Sequence, residues 1–418
     1  MAPFLFARVV SVRTVRALRF STKASRRFEF DSFDICGQRY KTDLHTNITQ
    51  FIVALTDRKL YKAASNPIRL ISDSIRHYFK QFDLFEYPSP VVSLDANFDS
   101  LLIGKDHVAR KPSDTYYVNE QFVLRTHTSA HQSDCLQQGS QAFICIADVY
   151  RRDAIKRTHF PCFHQCEVFK LFSSEELNIK SILAYQENVR SDQCQESYTI
   201  EASKSVENDL KYTIEQYIKE LLGKQTQTRW VSAYFPFTHP SWELEIMHNG
   251  EWLEILGCGI VENRILTNNR INDKIGWAAG FGLERLAMLK YSIPDIRLFW
   301  SKDTGFLSQF KNLTHADNMK YTPISKYPQC IKDISFWIPD EDTFCEQDFL
   351  EIIHSQGRGL IEQVDLIDKY TNKKGRTSLC YRIIYRSHER NLTNAEVNEI
   401  HCNIGIQTEL LLNVEVRE

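Results

Sequence analysis

Residues 230–237, 242–247 and 252–260 form three strand-like runs, each headed by tryptophan and following the last after only a few residues. Such short connections cannot return the chain to a parallel neighbour, because a parallel crossover takes a dozen or more residues. His248, Asn249 and Gly250 supply good hairpin chemistry between the second and third runs. These features exclude a doubly wound parallel core and predict an α+β chain built on an antiparallel sheet.

The rest of the chain supports that frame. Ile68, Ile71, Ile75, Tyr78 and Phe79 fall at helical spacing behind Asn66 and Pro67, and proline suits a first helical turn. Residues 85–93, with Pro88 and Pro90, read as an extended edge segment, and residues 94–120 as loops. Residues 143–150 and 166–172 read as strands joined by a loop rich in Arg and His. Val206, Leu210, Ile214, Tyr217, Ile218 and Leu221 form one helical stripe. Gly280-Phe281-Gly282 leads into a helix at 283–289. Beyond Tyr321, strands at 331–337, 360–368, 379–385 and 414–416 alternate with helices at 346–354 and 394–411. That βαββαβ order predicts a ferredoxin-like domain over 325–418, after a larger domain over 28–320.

The first 27 residues differ in kind. No acidic residue occurs there, while Arg8, Arg13, Arg16, Arg19, Lys23, Arg26 and Arg27 recur among apolar and hydroxyl residues. Arg-rich, Ser-containing and acid-free describes a mitochondrial transit peptide and points to the matrix. The net charge of −2 excludes a uniformly basic nucleic-acid coat, so RNA contact must rest on local patches. No apolar run approaches the roughly 20 residues that span a bilayer, so no membrane partner is expected. The 11 cysteines are scattered and odd in number, and His159, Cys162, His164 and Cys166 are too tightly spaced for paired zinc knuckles.

Four segments carry more polar and aromatic specificity than packing needs. They are Arg125 to Gln132, Tyr150-Arg151-Arg152-Asp153 with its continuation to Glu167, Tyr234 to Pro240, and Gly280 to Arg285. The Gly-x-Gly of the last lacks the third glycine and the βαβ setting of a dinucleotide fingerprint.

The segment from Asn66 to Ser93, the strand–loop–strand around Arg151 and the helix from Gly282 to Leu289 resemble motifs 1, 2 and 3 of the class II aminoacyl-tRNA synthetases. The strings Tyr-Phe-Pro-Phe-Thr-His-Pro-Ser from Tyr234, Trp-Leu-Glu-Ile-Leu-Gly-Cys-Gly from Trp252 and Ile-Pro-Asp-Ile-Arg-Leu-Phe from Ile293 resemble the phenylalanyl members. The tail from Lys326 resembles their fused anticodon-binding domain, in the monomeric mitochondrial form. The resemblance implies activation of phenylalanine by ATP with Mg²⁺, then transfer to the terminal adenosine of tRNA(Phe).

Activation sets an anionic carboxylate against the α-phosphate of ATP, so the site must neutralise charge and hold atoms in line. By resemblance Arg151 grips the α-phosphate and the amino-acid carboxylate, Arg285 the γ-phosphate, Glu254 contacts nucleotide or Mg²⁺, and Phe163 stacks on adenine. Arginine suits phosphate through its bidentate fork. The resemblance assigns amino-acid binding to His127, Ser129, Ala130, His131, Gln132, Thr158, His159, Phe160, Gln165, Cys166 and Glu167. Phe235 and Phe237 are expected against the substrate ring, and Ala278 near its para position. The family usually carries Phe where this chain has Ala279, and the lost ring either enlarges the pocket, opening it to bulkier analogues, or leaves Phe281 to fill the space. In the C-terminal domain Lys369, Lys373, Lys374, Arg376, Arg382, Arg386 and Arg390 are expected to contact RNA, with Tyr381 and Tyr385 stacking on bases.

Overall fold

The computed structural model describes residues 31–153, 156–184, 189–248, 250–302, 304–323, 327–340, 343–373 and 375–417. The arginine-rich leader therefore lies outside the described residues. A seven-stranded sheet organises the larger domain. Its strands are β1 (Asp83–Glu86), β2 (Ala142–Tyr150), β3 (Cys162–Phe172), β4 (Thr228–Phe235), β5 (Thr238–His248), β6 (Glu251–Val261) and β7 (Ile275–Gly282). They lie in the order β1-β2-β3-β7-β6-β5-β4, antiparallel throughout except for the β1–β2 pair.

Local chemistry explains the helices behind the sheet. Asn66 caps α1 (Pro67–Tyr78), its side chain accepting from the Ile68 amide while its own amide donates to the Phe299 carbonyl at 2.7 Å. The apolar stripe of α2 (Ile200–Leu222) is buried against the sheet, where Tyr217 meets Phe281 edge-on at 5.5 Å. Helix α3 (Leu283–Tyr291) follows β7 directly. The same core takes in Trp277, Ala279, Phe281, Cys166 and Val168, so alternate residues of β3 and β7 point at the helices. The intervening residues face the opposite side, where the site lies.

Several boundaries differ from the sequence reading. Strand β7 was expected only as a glycine lead into a helix, yet it lies inside the sheet, paired with β3 and β6. Glycine and alanine hide it, because both are depleted in strands and neither marks a period. Strand β3 begins already at Cys162, and β5 begins at Thr238, so Pro236 and Phe237 form the turn after β4. The extended segment at 85–93 divides: β1 ends at Glu86, and Val91–Ser93 pairs instead with Phe122–Leu124. Short helical turns at Leu94–Asn97, Asp99–Leu101 and Val108–Arg110 interrupt the expected loop.

The C-terminal domain is ferredoxin-like: β8 (Cys330–Trp337), α4 (Glu346–Gln356), β9 (Ile361–Thr371), β10 (Thr377–Tyr385), α5 (Asn394–Leu412) and β11 (Glu415–Val416). The strand order is β9-β10-β8-β11. Thr393 and Glu396 close a capping box at the start of α5. Ile334, Phe336, Phe349, Ile353, Tyr381, Ile383, Tyr385, Val397 and Ile404 fill its own core. That burial corrects one expectation: Tyr381 and Tyr385 face the helices, bonded to Glu346 and His401, and do not present their rings to RNA.

Candidate active site

One row of residues crosses the open face of the sheet: Glu167 on β3, Gly280 on β7, Gly257 on β6 and Glu243 on β5 are successive partners. A Cβ at Gly280 would meet nothing closer than the Gly257 carbonyl at 3.9 Å, and one at Gly282 would meet nothing within 4 Å. Bare backbone thus forms a floor, with functional groups on either side of it.

On one side lies an acceptor-rich pocket. Gln132 follows a helical turn over Thr128–His131, and its Nε2 donates to Glu167 Oε1 at 2.7 Å. Glu167 is 2% exposed, and burial pushes its carboxyl up to about 7 despite the opposing pull of Gln132 and Ser129. Its Oε2 has no partner, nor do Gln132 Oε1 and Gln165 Oε1, all buried. Both ring nitrogens of His127 are likewise buried and unpartnered. Burial, followed by the Arg151 charge, lowers this histidine to about 3, so it stays neutral. Buried polar atoms normally find partners, so a cluster of orphaned acceptors indicates a missing donor.

An aromatic wall adjoins it. Phe235 and Phe237 stack with centroids 6.0 Å apart, and Phe237 lies 5.9 Å from the His127 ring. The Phe235 ring covers Gly257 so closely that a Cβ there would come within 2.6 Å of its Cζ. Ala278 is on the floor side, paired with Phe169 and Gly259.

On the other side are charges. Arg151, just past β2, donates from Nε to the Thr126 carbonyl at 2.9 Å, and its guanidinium lies 5.3 Å over the Phe163 ring. It is within electrostatic reach of Glu254 and Arg285. Arg285, in the first turn of α3, donates to the Glu254 carbonyl and approaches the Glu254 carboxylate at 3.6 Å. Glu243 was not anticipated. Burial and then the neighbouring Glu254 and Glu245 raise its carboxyl, which marks a cluster of like charges. Its place opposite Gly257, rather than any string in the sequence, brings it into the site.

Not every expected residue is assembled here. Ala279 and Cys166 point to the helix side, in the core with Trp277 and Phe281. The exchange that removes a ring at Ala279 therefore does not enlarge the pocket; Phe281 fills space against Tyr217 on the far side of the sheet. His131 stacks on Tyr87 at 3.7 Å and accepts from Arg125 Nη1 at 2.9 Å, serving the buried Arg125–Asp148 pair. Ala130 packs in a core below the pocket. Thr158 and His159 bond each other on an exposed loop, and Phe160 stacks on Trp300.

Comparison with known proteins places this arrangement. The tRNA synthetases class II core domain (F) matches residues 50–206 and 196–310, and the ferredoxin-fold anticodon binding domain matches 325–417. The mitochondrial phenylalanine–tRNA ligase of Mus musculus is 46% identical over 400 residues, covering 92% of this chain and 88% of that protein. The chain belongs to the phenylalanine–tRNA ligase family of class II aminoacyl-tRNA synthetases. The chloroplastic/mitochondrial phenylalanine–tRNA ligase of Arabidopsis thaliana is 44% identical over 90% of this chain and 83% of its own length. The phenylalanine–tRNA ligase alpha subunit of Mannheimia succiniciproducens is 33% identical and covers 62% of the chain. ATP is the substrate with which this class activates its amino acids.

Proposed function

We infer that this chain is a phenylalanine–tRNA ligase of mitochondria, activating phenylalanine with ATP and esterifying it to tRNA(Phe). The observation that carries the reading is the trio of orphaned acceptors, Glu167 Oε2, Gln165 Oε1 and Gln132 Oε1. An α-ammonium has three N–H donors and one positive charge, and it matches three acceptors of which one is a buried carboxylate. Neutral His127 adds no competing charge. With the ammonium there, Phe235, Phe237 and Ala278 offer an apolar slot for the ring.

In the first step a phenylalanine carboxylate oxygen attacks the α-phosphorus; a new O–P bond forms and pyrophosphate leaves. Arg151 offsets charge at the α-phosphate and Arg285 at the γ-phosphate. Phe163 supplies a flat face for adenine. In the second step a hydroxyl of the terminal adenosine attacks the adenylate carbonyl, its proton departs and AMP leaves. The close carboxylates of Glu243 and Glu254 fit a hard cation, so they would hold Mg²⁺, which supplies charge to the departing pyrophosphate.

For RNA, the open face of the C-terminal sheet is the better surface. Trp337 lies between Arg376 at 5.1 Å and Arg417 at 5.2 Å, with Tyr370 at 6.3 Å. Aromatic and guanidinium planes suit unpaired bases, and Lys373 is exposed nearby. Each of the arginines Arg376, Arg382, Arg386 and Arg390 also has a carboxylate partner, Glu415, Asp333, Glu362 and Glu396 respectively, and that of Arg386 is buried. The chain works as a monomer in the matrix, its residues 1–27 serving as the transit peptide. The direct test is charging of mitochondrial tRNA(Phe) with labelled phenylalanine. Acid-precipitable, base-labile phenylalanine is expected; none from folded protein with ATP and Mg²⁺ would overturn the reading.

A further inference from the structure

The described residues of the β2–β3 loop, 151–153 and 156–161, have site residues at both ends, with Arg151 at the start and Phe163 just beyond. Its outer part is held by the C-terminal domain. Arg152 Nη2 lies 2.5 Å from Asp348 Oδ1 on α4, both side chains largely buried. Arg157 Nε donates at 2.7 Å to Glu362 Oε1 on β9, a carboxylate only 2% exposed that is also paired with Arg386 at 2.9 Å. Phe160 stacks on Trp300 at 5.2 Å and meets the His354 ring of α4 edge-on at 6.0 Å.

We propose that the docked C-terminal domain sets this loop for adenylate formation, making Asp348, Glu362 and His354 positioning residues for a step whose substrates they do not touch. The inference rests on the ligase reading of the site. Breaking the buried Arg152–Asp348 pair would leave an uncompensated charge, which favours the fastened loop. Release frees the Arg151–Phe163 end, where phosphate and adenine bind. The ammonium end of the acceptor pocket has its own anchor in the Gln132–Glu167 bond and the interior of β3. ATP should therefore respond more strongly than phenylalanine.

ATP–pyrophosphate exchange on the full chain, with Glu362→Gln, Arg157→Ala and the double variant, tests this. KM for ATP is expected to rise by about 5- to 150-fold, the usual span of coupling between sites, with a smaller rise in KM for phenylalanine. The double variant should be no worse than Glu362→Gln alone, because that change already removes the Arg157 contact along with the one to Arg386. Wild-type ATP KM in all three would overturn the proposal, as would equal rises in both KM values or fully additive effects. If Glu362→Gln does not fold, Arg157→Ala alone decides, since that side chain is half exposed. Absence of phenylalanine-dependent exchange in the wild-type chain would instead sink the ligase reading.

Discussion

Gln132 Nε2 donates to Glu167 Oε1 at 2.7 Å and leaves Glu167 Oε2 buried with nothing to accept. One carboxylate oxygen is spent on orientation, the other kept for a ligand. Glu167→Gln keeps the shape and removes the charge. Hydrogen bonds to charged groups contribute about 1.5–3 kcal/mol, so KM for phenylalanine should rise roughly 10- to 150-fold, with KM for ATP little changed. Matching rises for both substrates would mean the pocket holds something other than the ammonium.

The same residue sets a pH dependence. An acid raised from 4.5 to about 7 is protonated in the empty site below that value, and the ammonium needs it ionised. KM for phenylalanine should therefore climb as pH falls below about 7, towards roughly tenfold per unit, the limit for one proton released on binding. Without ligand the sign for folding follows the raised value. Glu167 favours the folded state below 4.5, and that contribution is lost as pH rises through about 7. Initial rates across pH 6–8 on wild type and Glu167→Gln check the binding effect, and a pH-independent KM in the wild type contradicts it.

The glycines separate two kinds of failure. Gly280 has open space where its Cβ would be, and its backbone is ordinary strand. Gly280→Val should fold yet occupy the floor, lowering kcat/KM by about 10²-fold, as a misplacement of about 1 Å does. Gly257→Ala must push the Phe235 ring aside. It should raise KM for phenylalanine about 2- to 12-fold, the worth of one aromatic contact, and spare ATP. A fully active Gly280→Val enzyme would show that substrate does not cross this row.

How legible this was follows from where each signal resides. The hairpin strands, the capped helix behind Asn66 and the ferredoxin-like order all announce themselves through local period and capping chemistry. Strand β7 did not, because glycines that bare the floor also erase the strand pattern. Gln132, Arg151, Gln165 and Arg285 lie in segments that stand out as strings. Glu243 does not, since only cross-strand register brings it opposite Gly257. The face of Ala279 was misjudged because neighbours in sequence point to opposite sides of a strand.

That face yields another prediction. Ala279→Phe, which reinstates the ring usual in the family, meets Phe281 and Tyr217 rather than substrate. Overpacking of this kind costs about 1–3 kcal/mol. Thermal or urea unfolding should show that loss, and adding Phe281→Leu should recover part of it. Discrimination among ring-substituted phenylalanines in the exchange assay should not move. Altered selectivity without altered stability would return Ala279 to the pocket.

The most direct measurement is ATP–pyrophosphate exchange by the full chain across all amino acids. The acceptor trio, the aromatic wall and the two arginines together predict exchange with phenylalanine well above every other amino acid, weakened in Glu167→Gln through KM for phenylalanine and weakened in Arg285→Ala. Exchange driven equally by another amino acid, or none from folded protein, would contradict the account.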